Sequence, residues 1–106
     1  MTSPWLILGV AGLFETAWII SMKYSDGMSK LLPSALTIIF LVISMYLLAL
    51  AVRELPMGSA YAVWTGIGVV GAVLLGIVLF DEPSDALRIL FIALIVMGII
   101  GLQVTS

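Results

Sequence analysis

Polar and apolar positions divide this chain into blocks. Four long apolar runs stand out: Trp5–Met22, Leu31–Val52, Leu55–Phe80 and Ile89–Ser106, and the last three contain no charged residue. A helix that spans a bilayer needs about 20 mostly apolar residues, and each run is close to that length. Apolar residues occupy every side of each run. In lipid the backbone groups must find partners within the segment, so helix is the predicted state. The punctuation fits. Pro33 and Pro56 suit the first position of a helix, and Ser25-Asp26-Gly27 reads as a turn. Pro83-Ser84-Asp85 ends one helix and starts the next, with Ser84 as N-cap and Asp85 in a favourable first turn. The pattern predicts an all-α membrane protein, one domain over residues 1–106, with four transmembrane helices at about 4–22, 31–52, 56–80 and 84–104. The connections are short, so consecutive helices are expected to be antiparallel neighbours with both termini on one side.

Composition sharpens this picture. The chain is 63% hydrophobic and has only ten charged residues among 106. Soluble domains carry roughly 25% charged residues, and a water-soluble fold of this size cannot hide so much apolar surface. A multi-pass protein of the cell membrane, with the lipid bilayer as its solvent, is the expectation. The first run is unlike a signal peptide, since it has no basic leader and no small-residue cleavage site. Cys and His are absent, which removes thiolate or imidazole metal sites and His proton relays. Neither a metal nor a cofactor is expected, and no nucleophile–base pair suggests an enzyme. A net charge of −2 without a basic run argues against nucleic acid.

Orientation is weakly encoded. Lys23, Lys30 and Arg88 belong to the first and third connections and Arg53 to the second, a count of three against one. The positive-inside rule then favours the first and third connections in the cytoplasm, by a small margin. The chain shows no internal repeat, although many transporters build alternating access from two inverted halves. Four short helices also give too little wall to enclose a substrate path, so a dimer is the minimum expectation.

Against this background Glu15 is the residue that demands an explanation. It lies near the middle of the first run, where a charged group costs at least ~2.5 kcal/mol on insertion scales. The four basic residues all sit at or beyond the ends of apolar runs, so none is placed to neutralise it. The natural partner is one that arrives, either a proton or a cationic ligand; the plain alternative is a protonated Glu15 that hydrogen-bonds a neighbouring helix. On a helix Glu15 shares its face with Ala11, Gly12 and Trp18. Ala11 and Gly12 are small and leave room beside the carboxylate. Trp18 offers an indole donor and a π face, with plain packing an equal alternative. Ser44 lies mid-span on the second helix, where a hydroxyl commonly bonds a backbone carbonyl or packs an interface. Tyr61 and Trp64, one turn apart, lie inside the third span past Pro56 and Gly58, which suggests more than an interfacial belt, with a belt position the plain alternative. Gly66 and Gly68 are a candidate bend, although Gly68, Ala72 and Gly76 also form the four-residue pattern of close helix contact. The fourth helix offers only Ala93, Gly98 and Gly101 as small positions, suited to contact with another helix or with lipid.

These features together resemble a known family. Four spans in this length, the intramembrane Glu15, the turn KYSDG at Lys23–Gly27 and LPMGSAYAVWTGIG at Leu55–Gly68 look like the small multidrug resistance transporters. Trp18 one turn after Glu15, with the stretch AYAVWTGIG, is similar to the guanidinium exporter subtype. The resemblance implies an antiparallel, dual-topology homodimer and proton-coupled antiport by alternating access. It implies that Glu15 binds either protons or guanidinium, or a related small organic cation. Trp18 and Ser44 would orient Glu15, Tyr61 and Trp64 would form the other wall, and Gly66 and Gly68 would let the third helix bend. The fourth helix, through Ala93, Gly98 and Gly101, would hold the dimer together. One position departs from the pattern: Gln103 stands where guanidinium exporters commonly carry a Lys. Other readings compatible with a lone membrane carboxylate are a broader quaternary ammonium exporter, a rotor proteolipid and a non-catalytic assembly subunit.

Overall fold

In the computed structural model, which describes residues 3–105, four helices follow one another: α1 Pro4–Tyr24, α2 Leu31–Ala51, α3 Met57–Phe80 and α4 Ala86–Thr105. Residues 1, 2 and 106, the ends of the expected domain, lie outside the described residues. All four helices are long and apolar enough to cross a membrane.

The helix ends follow from local chemistry. At the start of α1 the Ser3 hydroxyl accepts the Trp5 N–H at 3.3 Å, and Pro4 fills the first position. Beyond α1 the Ser25 hydroxyl donates to the Met22 carbonyl at 2.6 Å and accepts the Met28 N–H at 3.0 Å. This staple holds Asp26, Gly27 and Met28 at φ 51°, 74° and 66°. Only Gly27 takes that left-handed region without cost, so the Ser25 bonds offset the strain at its neighbours.

Three expectations about helix ends need correction. Pro33 is the third residue of α2, not the first. The position is tolerated because no N–H of the first turn has a partner within the helix. Pro56 stands just outside α3 as its N-cap. Ser84 does not cap α4. The Asp85 carbonyl accepts the Ile89 N–H at 3.1 Å, so Asp85 precedes the helix and is not in its first turn. The cause lies upstream. Asp81 ends α3 in the left-handed region at φ 56°, and the Glu82 N–H folds back onto the Gly76 carbonyl at 3.2 Å. Pro83 then keeps Glu82 out of helical geometry, and the chain uses the residues up to Asp85 to reverse direction.

Packing centres on α1, which contacts both α2 and α3, while α4 touches α3 alone. The buried residues of α1 are Leu8, Ala11, Gly12, Glu15 and Thr16, one stripe at three- and four-residue spacing. Those of α2 are Thr37, Ser44 and Ala51, again one stripe. Glycines let the backbones approach. A Cβ on Gly12 would lie 2.6 Å from the Ile67 side chain, and one on Gly71 would collide with Thr16. Outside these seams the surface is apolar: Leu31 is 87% exposed and Val104 77%. Such a surface belongs in lipid, and the chain is a multi-pass membrane protein.

Candidate functional site

Glu15 points from α1 into the seam with α3 and meets the backbone at Gly68. A Cβ on Gly68 would sit 2.6 Å from the Glu15 carboxyl carbon, so the carboxylate occupies space that only glycine leaves free. Glu15 is 7% exposed, and its Oε2 is buried with no hydrogen-bond partner. The ion pair among the described residues, Arg88–Glu82, lies at the loop between α3 and α4 and leaves Glu15 unpaired. Trp18, one turn on, is partly buried, and its indole Nε1 is likewise buried without a partner.

Ser44 ties three helices together. Its hydroxyl donates to the Ala11 carbonyl on α1 at 2.6 Å and accepts the Trp64 indole N–H from α3 at 2.9 Å. The hydroxyl therefore bonds the backbone one turn before Glu15, not the carboxylate itself. It fixes Trp64, which is buried. Tyr61 is 58% exposed and stacks at a tilt against Trp64, with ring centroids 5.7 Å apart. Three of the five predicted binding residues, Ser44, Tyr61 and Trp64, are thus in contact, and Glu15 lies one turn beyond Ala11 on α1, against Gly68 one turn beyond Trp64 on α3. Trp18 extends the α1 side toward the next turn.

The small residues divide differently from expectation. The space beside Gly12 is not open around the carboxylate, because the Ile67 side chain fills it. Gly66 and Gly68 open different faces of α3. A Cβ on Gly66 would meet Ile99 of α4 at 2.8 Å, whereas Gly68 meets Glu15. α3 is continuous through both. Ala93, Gly98 and Gly101 are exposed on α4, and a Cβ on Gly98 or Gly101 would meet nothing within 4 Å. They thus lie away from α3, which α4 meets through Ile95 and Ile99.

One residue near the site was not singled out from the sequence. The Thr65 hydroxyl on α3 is buried without a partner. Thr16 and Thr37, by contrast, bond the carbonyls of Gly12 and Pro33 at 3.2 and 2.8 Å. The available signal was its position, a hydroxyl beside Trp64 and one turn before Gly68. Glu15 Oε2, Trp18 Nε1 and Thr65 Oγ1 are thus three unsatisfied polar atoms on α1 and α3 at membrane depth. A proton or the N–H of a cation would satisfy the first, and burial makes such pairing strongly favourable.

Comparison with known proteins places the chain in a family. A family model described as Small Multidrug Resistance protein matches residues 3–95. A relative from Escherichia coli (strain K12), named Guanidinium exporter, is 51% identical over 102 residues, covering 96% of this chain and 97% of its own. A protein of the same name from Yersinia pseudotuberculosis is 53% identical over 102 residues, with 96% and 98% covered. Another from Salmonella typhimurium is 51% identical over 102 residues, with 96% and 97% covered.

Proposed function

We propose that this chain, which belongs to the small multidrug resistance family, exports guanidinium or related small cations in exchange for protons. The observation that carries the reading is Glu15, a buried carboxylate with an unpartnered oxygen in the middle of a spanning helix. The name shared by its relatives supplies the cation class. Guanidinium is planar and permanently charged, and its paired N–H donors match a carboxylate bidentately.

The carboxylate holds either a proton or the cation, and this competition is the coupling. A transporter that reorients only when Glu15 is neutralised by one or the other exchanges them across the membrane. Trp64, fixed by Ser44, and its neighbour Tyr61 form the wall facing Glu15, and Trp18 contributes an indole donor. Gly66 and Gly68 are the positions at which α3 bends during reorientation. The working unit is an antiparallel homodimer of oppositely inserted copies, because one copy has no inverted repeat. Exposed Ala93, Gly98 and Gly101 on α4 form its contact.

The test is guanidinium uptake into proteoliposomes driven by a pH gradient. Uptake is expected with the native protein. With Glu15→Gln it falls to the level of empty vesicles, while the purified protein remains a dimer. Full transport by that variant removes the carboxylate from the mechanism. Tetramethylammonium in the same assay separates this reading from a broader quaternary ammonium exporter. Such ligands lack N–H donors and rely on aromatic faces alone.

A further inference from the structure

The seam that holds Glu15 continues toward the loop end of the molecule. On α3 the small residues Gly68, Ala72 and Gly76 recur every four positions, and on α1 Ile19 and Lys23 follow Glu15 at the same interval. Glu15 closes one end of this track against Gly68. Glu82 closes the other, since a Cβ on Gly76 would lie 2.8 Å from the Glu82 carboxyl carbon. At the Glu82 end is a cavity of about 190 Å³ lined by Ile19, Lys23, Ala72, Gly76, Phe80 and Glu82. A second carboxylate and an aromatic ring thus belong to its wall.

Both groups already hold cations of the chain itself. Arg88 Nη2 lies 3.3 Å from Glu82 Oε1, and Lys23 Nζ lies 5.7 Å from the centre of the Phe80 ring. The Arg88 head is a guanidinium group, chemically the cargo. Its grip is poor. One nitrogen engages one oxygen, the Arg88 Nε is buried without a partner, and the side chains are 36% and 40% exposed. A free guanidinium can engage both carboxylate oxygens in the plane, which the tethered one does not.

We propose that Glu82 and Phe80 form a second, outer guanidinium site at the loop end of the α1–α3 seam, with Arg88 on the carboxylate and Lys23 on the ring as its tethered, displaceable occupants. The inference rests on the export reading for the cation class. It adds a station that gathers the cation at the membrane surface before it reaches Glu15. A partly exposed, single-contact ion pair is weak enough to be displaced by free cation.

Equilibrium binding of radiolabelled guanidinium to the purified dimer in detergent tests this. Glu15→Gln is expected to lose the tight sites and keep a weaker saturable class. The double variant Glu15→Gln/Glu82→Gln is expected to bind at background. In the Glu15→Gln background, Arg88→Gln is expected to tighten the weaker class by about fivefold, the factor carried by the loss of one partly exposed competing ion pair. Tetramethylammonium chloride at matched concentration controls for bulk charge. No saturable binding in Glu15→Gln overturns the outer site. So does binding that survives in the double variant, or binding that weakens with Arg88→Gln. Tight binding that persists in Glu15→Gln overturns instead the assignment of Glu15. In vesicles, Glu82→Gln is expected to raise the KM for guanidinium severalfold with the maximal rate retained. A loss of maximal rate with unchanged KM makes Glu82 a loop clasp and nothing more.

Discussion

Ser44→Ala isolates the bond that fixes the wall of the site. The hydroxyl is fully buried, with its proton on the Ala11 carbonyl at 2.6 Å and a lone pair on the Trp64 Nε1–H at 2.9 Å. The Ala11 carbonyl loses little, because within α1 it also accepts a helical N–H. Trp64, 8% exposed, loses its acceptor outright. An orphaned buried donor costs ~1–3 kcal/mol in general. Hydrogen bonds between membrane helices average about 0.6 kcal/mol with a maximum near 1.7. The expected loss is therefore about 1–1.5 kcal/mol, close to tenfold in an equilibrium constant. Thermal unfolding of the detergent-solubilised dimer, followed by tryptophan fluorescence, reads it directly. A double-mutant cycle with Trp64→Phe, which removes the donor itself, assigns it. The two changes are expected to couple by at least ~0.5 kcal/mol. Additivity within ~0.3 kcal/mol refutes the bond as the source of the effect. Ligand binding separates two roles for the hydroxyl. Equal losses for guanidinium and tetramethylammonium mean that Ser44 acts through the placement of Trp64. A loss confined to guanidinium means that Ser44 also accepts an N–H from the cation.

Two further outcomes follow from the seams of the fold. Gly68→Ala places a methyl 2.6 Å from the Glu15 carboxyl carbon, so guanidinium uptake is expected to collapse. Gly9→Ala, whose added Cβ meets nothing within 4 Å, is expected to leave uptake intact and to gain up to ~1 kcal/mol of helix propensity; equal uptake by the two variants removes the Glu15–Gly68 contact from function. A single cysteine at Ser3, in a chain that has none of its own, is expected to be labelled from both sides of the membrane, and Gln103→Lys is expected to move the ratio toward parity; labelling from one side only rules out two oppositely inserted copies.

Much of this was legible in the sequence because lipid leaves so few choices. A chain in hydrocarbon must satisfy its backbone internally, so four apolar runs between charges already meant four helices. The same solvent made Glu15 conspicuous, since an unpaired carboxylate at that depth is costly wherever its neighbours lie. The helix ends were less legible. Ser84 has the side chain of an N-cap, but the left-handed Asp81 and Pro83 upstream moved the start of α4 to Ala86.

What the sequence left open was which face meets which, because every face of these helices is apolar and hydropathy gives no direction. Only packing assigned Gly68 to Glu15, Gly66 to Ile99 and Gly12 to Ile67. Only packing gave the Ser44 proton to the Ala11 carbonyl instead of the carboxylate, and left Thr65 without a partner. Between membrane helices, contacts are decided by how closely two backbones can approach, and that distance is a property of pairs of helices that no single run of residues carries.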